Sequence, residues 1–186
     1  MNNGKIIAPI LIILAVVGFA LIWSGYYPIA FVNWQPIFAK SLDTNYAIAL
    51  NFYKSQLKNN QVFNSSSTQS EIKRAVLISL IEDKIIDSEV VKKIGKNDFE
   101  KKITEKLSEI DLSSDKIKEG AKLIYGLSIE QLKEIVLTEQ VKREIAEGLF
   151  GSPDKSFHDW LGERFKSSNI IVLIPVKVVD NSVVAE

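Results

Sequence analysis

The stretch Ile72–Gly95, IKRAVLISLIEDKIIDSEVVKKIG, determines the expected fold. Its apolar residues recur mostly every three or four positions, the period of one helical face. Thr68 stands three residues before Glu71, the spacing of a capping box, and Gly95 can adopt the left-handed conformation that ends a helix. We predict a long helix from Thr68 to Gly95 with these core residues: Ile72, Val76, Leu80, Ile81, Ile85, Val90, Val91 and Ile94.

Before this helix, a second amphipathic pattern occupies positions 38–57. The polar linker Asn59–Ser70 separates the two helices. Tyr46 and Tyr53 share one helical face with aliphatic residues, so we predict that both tyrosines belong to the core. The full face is Phe38, Leu42, Tyr46, Ala49, Tyr53 and Leu57.

After Gly95, four further helical patterns follow, separated by breaks at Asp111–Ser114, Gly126 and Gly151–Pro153. Asn97 with Glu100, and Ser128 with Gln131, have the spacing of capping boxes. The predicted core faces are Phe99, Ile103, Leu107 and Ile110; Ile117, Ala121 and Ile124; Leu132, Ile135, Val136, Val141, Ile145 and Leu149; and Phe157, Trp160, Leu161 and Phe165.

Two apolar stretches without helical period lie at the ends of this helical region. Ile29–Val32 with Ile37 predicts a short strand, and Ile170–Val179 predicts another, with Pro175 at an edge or bulge. Lone strands leave backbone groups unpaired, so we expect the two to pair as a clasp. Ile170, Val172 and Ile174 should then face Ile29 and Phe31. The fold class is therefore mainly α with a small β clasp.

The 18 residues from Ile6 to Trp23 carry no charge, which predicts a transmembrane anchor. Tyr26 and Tyr27 supply an aromatic interfacial flank. A cleaved signal peptide is the alternative, but the run is long for one and lacks a small-x-small site at its end. Lys5 precedes the run and no basic residue follows until Lys40, so the N-terminus should be cytoplasmic and the domain extracytoplasmic.

The charge composition excludes a nucleic-acid binder. The 23 basic and 23 acidic residues cancel, and the lysine pairs have acidic neighbours, which indicates solvated helix faces. The chain has no cysteine, which excludes disulfides, thiolate catalysis and zinc–thiolate sites.

No arrangement of residues predicts catalysis or a cofactor. His158 is the sole histidine, so no His–His metal pair or histidine relay can form. Two acidic pairs, Glu82 with Asp83 and Asp87 with Glu89, are expected on a solvent-exposed helix face. Ser65–Ser67 have no base in view. We predict a protein that is not an enzyme and binds no metal or cofactor.

The segments resemble, in order, the N-terminal chaperone domain of SurA- and PpiD-type foldases. IAFVNWQPI is similar to the opening pattern of that family through Ala30, Val32, Asn33 and Ile37. The long helix is similar through Leu77, Leu80, Ile81, Ile86 and Gly95. Leu123–Ile145 and the stretch FHDWLGERFKSSNIIVLIP resemble the later helix and the closing helix and strand. The resemblance covers almost all of Ile29–Pro175 and implies a helical chaperone domain with clasped ends.

Two departures from the family pattern have consequences. Trp34 replaces the usual turn glycine, so the turn need not have a positive φ. Only about eleven residues follow Pro175, whereas such foldases often continue into a parvulin isomerase domain of roughly 90 residues or more. The resemblance therefore implies the chaperone fold without the isomerase activity.

The predicted organisation is a tail and anchor at 1–27, a helical chaperone domain at 28–180 and a C-terminal tail at 181–186. The predicted function is ATP-independent holding of unfolded or newly translocated polypeptides at the membrane. The alternative is an adaptor that binds one envelope or membrane protein. The expected partners are unfolded or nascent exported polypeptides; whether a separate prolyl isomerase works alongside, and the oligomeric state, stay open.

Client contact is predicted at Phe63 with Val62, because they are bulky apolar residues inside the polar linker. The alternative, equally weighted, is that Phe63 folds back onto the core of the domain.

Overall fold

The computed structural model describes residues 24–56, 66–174, 176–179 and 182–185. The described part is mainly helical with small antiparallel sheets. The strands are β1 Pro28–Val32, β2 Gln35–Phe38, β3 Ile170–Val172, β4 Val176–Val179 and β5 Ser182–Ala185. The helices are α1 Ala39–Gln56, α2 Ser66–Ile94, α3 Lys96–Ser108, α4 Asp115–Gly120, α5 Ile129–Gln131, α6 Thr138–Phe150 and α7 Phe157–Ser167.

Two π-helical segments interrupt the regular helices. The first, Ala121–Tyr125, continues α4, and the second, Leu132–Leu137, joins α5 to α6. A π-helix widens each turn, so it changes which side chains face a neighbouring helix.

Helix α2 is the centre of the core. Its buried side chains include Ile81, Ile85 and Val90, as the sequence pattern predicts. Leu77 and Ile86 are also almost fully buried, whereas Val91 is exposed, so its placement in the core was wrong. The helix begins at Ser66, which puts Thr68 inside the helix and not at its N-cap.

The same cluster receives buried side chains from β1, β2, α1, α3, α6 and α7. The stacked rings of Phe150 and Trp160, with centroids 4.1 Å apart, join the end of α6 to α7. The buried contributors outside α2 are Ile29, Ala30, Val32, Ile37, Ala39, Leu42, Phe99, Val141, Ile145, Ala146, Trp160, Leu161 and Phe165.

Most of the predicted helix ends are observed. Gly95 and Gly126 have φ of 86° and 72°, and each follows the end of a helical stretch. Ser128 and Gln131 form the predicted capping box. The predicted cap at Asn97 is wrong, because α3 begins at Lys96, directly after Gly95, and Asn97 lies within its first turn.

The predicted clasp is present. Strand β1 lies between β2 and β3 and is antiparallel to both, with Ala30 opposite Val172 and Val32 opposite Ile170. The prediction that Phe31 faces Ile170, Val172 and Ile174 was wrong. Phe31 pairs with the exposed Ile171, on the outer face of the sheet, which points away from the core. The core face is formed by Ala30 and Val32, because alternate residues of a strand point to opposite sides.

Ile170–Val179 is not one strand. Strand β3 ends at Val172, before Pro175, which has no N–H to donate to a sheet. Strands β4 and β5 form a separate antiparallel hairpin, and β5 lies beside α2.

The turn between β1 and β2 has two residues, Asn33 and Trp34, with φ of 48° and 69°. The expectation that Trp34 removes the need for positive φ was wrong. A two-residue hairpin turn must match the twist of its strands, and the type I′ turn, one of the two types that do so, has positive φ at both turn positions.

The predicted anchor Ile6–Trp23 and the predicted client contacts Val62 and Phe63 lie outside the described residues. Within the ranges that the structure describes, no helix has the length and apolar character needed to cross a bilayer.

The clasp yields a stability prediction. A chain that stops before Ser167 loses β3, whereas a control chain that stops after Ile174 retains it. Losing the burial of Ile170 and Val172 should cost roughly 2 kcal/mol, which lowers the thermal midpoint by about 4–8 °C relative to the control. Circular dichroism melts of both chains in mild detergent measure this difference. Equal midpoints would contradict a stabilising clasp.

Candidate functional site

A groove runs between α1 and α2. Two cavities, of about 230 Å³ and 350 Å³, share Asn45, Leu80 and Asp83 in their walls. The shared residues make the cavities one continuous groove, which we call the α1–α2 groove. It has an aromatic end, a sheet end and a charged floor between them.

The aromatic end is built from the last turns of α1 and the first π-helical segment. Phe52 and Tyr125 stack with ring centroids 5.8 Å apart, and Tyr53 meets Phe52 edge to face. The Asn51 side-chain amide donates to the Tyr125 carbonyl at 3.1 Å, which ties the π-helical segment to α1. Ile48, Ala49 and Val76 complete this apolar wall.

The sheet end is formed by β2 and the second π-helical segment. Pro36, Ile37 and Phe38 line it from the edge strand, and Ile135 lines it from the π-helical segment. Each π-helical segment therefore contributes one side chain to the groove. π-Helical turns inside α-helices are frequent at functional sites, because the widened turn exposes groups that a regular helix would hide.

The floor, which includes Asp83, Asp87 and Lys142, is part of a charged network that joins α2 to α6. The Arg143 guanidinium donates to Asp83 Oδ1 at 2.8 Å from Nη2 and at 3.1 Å from Nε, and to Glu82 Oε2 at 3.0 Å. The Lys142 ammonium donates to Asp87 Oδ2 at 3.1 Å and to Glu139 at 3.0 Å. The network holds the two helices in one register.

This network corrects the expectation that the acidic pairs of α2 are solvent-exposed. The Asp83 side chain is only 15% exposed and that of Glu89 17% exposed. Cations on α6 and α7 cover them, and Arg164 reaches Glu89 at 3.5 Å. The helical pattern of α2 alone could not reveal these cations, because they come from residues more than 50 positions away in the chain.

Burial raises the pKa of Asp83 to about 7, and the nearby carboxylates of Glu139 and Asp87 act in the same direction against the opposing charge of Arg143. Burial alone would lower the pKa of Lys142, but Glu139 and Asp87 hold it above its usual value. The groove floor therefore carries a carboxyl group that titrates near neutral pH.

One hydrogen-bond acceptor in the groove is not used. Among the described side chains, Asp87 Oδ1 is buried and lacks a hydrogen-bond partner. A buried acceptor without a partner is costly, but this atom exposes less than 1 Å² to solvent, so a bound chain could reach it only if neighbouring side chains moved.

The single histidine and the acidic side chains are the candidate ligands for a metal ion. His158 is exposed in the first turn of α7 and lines neither cavity. Among the described residues, no cluster of three or more histidine or acidic side chains has the geometry of a metal site.

Sequence reasoning misplaced some groove residues. Tyr53 was predicted in the core, but it is 42% exposed and lines the aromatic end. Phe52 and Tyr125 were not singled out, because their stacking depends on the position of the first π-helical segment. The two linker residues predicted to touch clients, Val62 and Phe63, lie outside the described residues.

Comparison with known proteins identifies no relative: no protein-family model, no curated protein and no solved structure matches this chain.

The position of Asp83 predicts an unusual pH dependence. Because its folded pKa lies above its unfolded value, the folded chain keeps a proton that the unfolded chain has lost, so its contribution to stability falls as pH rises through the window from about 4 to 7. From pH 5 to pH 8, the free energy of unfolding should fall by about 2–3 kcal/mol more in the native chain than in Asp83→Asn.

Urea unfolding of the full chain in mild detergent at both pH values measures this difference. Asp115→Asn, which alters an exposed carboxylate, is the matched control and should follow the native chain. An Asp83→Asn variant with the same pH dependence as the native chain would contradict the assignment.

Proposed function

We propose that the protein is an ATP-independent chaperone that holds unfolded or newly translocated polypeptides in the α1–α2 groove. The observation that carries the proposal is the groove itself, in which apolar and aromatic walls flank a floor that includes the carboxyl groups of Asp83 and Asp87. This combination suits an extended chain, which offers side chains and backbone N–H groups together.

The groove walls would bind apolar side chains of a client without recognising a particular client sequence. Phe52, Tyr53 and Tyr125 present ring faces and edges that accept many kinds of apolar side chain. The two cavities are small, so a client would bury only a few side chains at once. A few such contacts, set against the cost of ordering a flexible chain, give weak and reversible capture. Such capture needs no nucleotide and no catalytic residue.

The proposal places the protein with chaperones of the SurA N-terminal type. Its support is the order and spacing of the segments quoted above, together with a helical domain whose first and last strands pair. A separate prolyl isomerase is a candidate partner, and nucleic acid and cofactors have no role.

Val62 and Phe63 extend the proposed client surface. They lie in the sequence between the end of α1, which carries the aromatic end of the groove, and the start of α2. As bulky apolar residues in a polar linker, they are the proposed additional client contacts.

The aromatic end provides the first test. Tyr53→Ser removes an exposed ring from the groove, while Leu123→Ser removes an even more exposed apolar side chain that lines neither cavity. Losing one aromatic contact of about 1 kcal/mol should weaken client affinity roughly fivefold in Tyr53→Ser and leave Leu123→Ser unchanged. Fluorescence anisotropy with labelled unfolded clients measures the affinities. Equal client affinities in the two variants would contradict the proposal that clients bind in the groove.

The proposed location is the cell membrane, with residues 1–5 cytoplasmic, Ile6–Trp23 as a single anchor and the helical domain outside the cytoplasm. The support is the uncharged run and Lys5 before it. Protease added to intact spheroplasts should therefore digest the domain. A fully protected domain would reverse the orientation, and a soluble mature form beginning after Trp23 would replace the anchor by a signal peptide.

A further inference from the structure

The three-stranded sheet carries no charged residue, although 25% of the chain is charged. No acidic or basic residue occurs between Lys5 and Lys40, which includes β1 and β2. None occurs between Lys166 and Lys177, which includes β3. The sheet is therefore unlike the surrounding helices, whose exposed faces carry many ion pairs.

The outer face of this sheet is apolar. Phe31 on β1 pairs with Ile171 on β3, and both belong to the face opposite Ala30 and Val32. Ile171 is 41% exposed, and Leu173 is 56% exposed on the same side of the chain. An exposed apolar face on a sheet without charges marks an interaction surface.

Trp34 stands at one end of this face and is 78% exposed. Its φ of 69° lies in the left-handed region, which is unfavourable for a residue that has a Cβ atom. The turn is held in place because Asn33 N–H donates to the Asn169 carbonyl and Asn169 N–H donates to Asn33 Oδ1. Because the Trp34 ring buries little area within the domain, it is available for contact outside the domain.

Tyr26 and Tyr27 stand at the other end of β1 and are 48% and 43% exposed. The Lys40 ammonium donates to the Tyr26 hydroxyl at 3.0 Å and lies 4.7 Å from the centre of that ring. Backbone bonds from Ala39 N–H to the Tyr27 carbonyl and from Lys40 N–H to the Gly25 carbonyl fix this segment against α1.

We propose that the outer face of the sheet docks on the headgroup region of the lipid bilayer, with Trp34 and the Tyr26–Tyr27 pair as its interfacial anchors. The proposal rests on the membrane anchor of the proposed function. Four residues, Ser24 to Tyr27, separate the uncharged run from β1. Even a fully extended chain of that length spans at most about 14 Å, so the sheet lies next to the point where the anchor leaves the bilayer.

The chemistry of the face suits lipid better than a second protein. Tryptophan and tyrosine are the residues enriched at the membrane interface, and Lys40 beside Tyr26 places a cation where phosphate groups would lie. A stable protein–protein interface needs about 20–30 residues on each side, whereas this face offers only a few apolar side chains. Because β2 also lines the sheet end of the α1–α2 groove, docking would hold that end close to the membrane surface.

Single-cysteine labelling of the full chain in liposomes tests the docking, since the native chain has no cysteine. An environment-sensitive fluorophore is attached to Trp34→Cys, to Ile171→Cys and to the matched control Leu123→Cys, whose site is apolar and 69% exposed but distant in sequence from the sheet. Lipids with a spin label near the headgroup should quench the first two labels several-fold more than the control. Equal quenching at all three sites overturns the proposal.

A second measurement keeps the native tryptophan. In Trp23→Phe, the remaining tryptophans are Trp34 and the buried Trp160. Brominated lipids should quench this variant and leave Trp23→Phe/Trp34→Phe unquenched. In either measurement, an emission that shifts to shorter wavelength without being quenched by lipid would overturn bilayer docking and indicate contact with a second copy.

Carbonate extraction separates this proposal from the one on which it rests. A chain that carbonate releases from the liposomes has no anchor, and the docking proposal then fails with it. If the chain stays anchored and its labels are not quenched, only the docking proposal fails. Client holding, measured by aggregation suppression, is then unaffected.

Discussion

Burial of the apolar side of α2 is the constraint on which the rest of the structure depends. Leu77, Ile81, Ile85, Ile86 and Val90 are almost completely removed from water. A single 29-residue helix cannot bury these side chains alone, so α1, α3, α6, α7 and the sheet must pack around it.

The same helix then presents Glu82, Asp83 and Asp87 toward Arg143 and Lys142 on α6. Breaking a partly buried ion network by removing one partner is costly, so the network restricts how α2 and α6 can sit. Helix α1 also packs against α2, and the groove lies between these two helices.

The features that could be predicted from sequence are those with a local cause. Glycines in the left-handed conformation, the capping box at Ser128 and the helical faces depend on a few neighbouring residues, and the structure contains them. The clasp was predictable because unpaired terminal strands need partners. The helix starts were less accurate, since α2 extends back to Ser66 and α3 begins directly after Gly95. The course of the chain after β3 could not be predicted, because a continuous apolar run does not show where pairing changes partner.

The candidate site could not be predicted from the sequence, for a different reason. Its parts come from α1, α2, β2, α6 and two π-helical segments, and no short motif links them. Tyr53 looked like a core residue by period alone, and Asp83 looked like a surface acid. Their roles appear only when the helices are assembled. Binding surfaces that accept many clients have this property in general, because they need shape and apolar area but no fixed chemical constellation.

The two proposals give different roles to two surfaces: the groove would hold a client, and the uncharged sheet would face the membrane. Aggregation of several unrelated unfolded proteins, followed by light scattering with the full chain and without nucleotide, tests the central claim most directly. We expect the full chain to suppress aggregation of all of them at a similar molar ratio. Absence of suppression, together with stable binding to one folded membrane or envelope protein, would contradict the chaperone function and identify the protein as an adaptor.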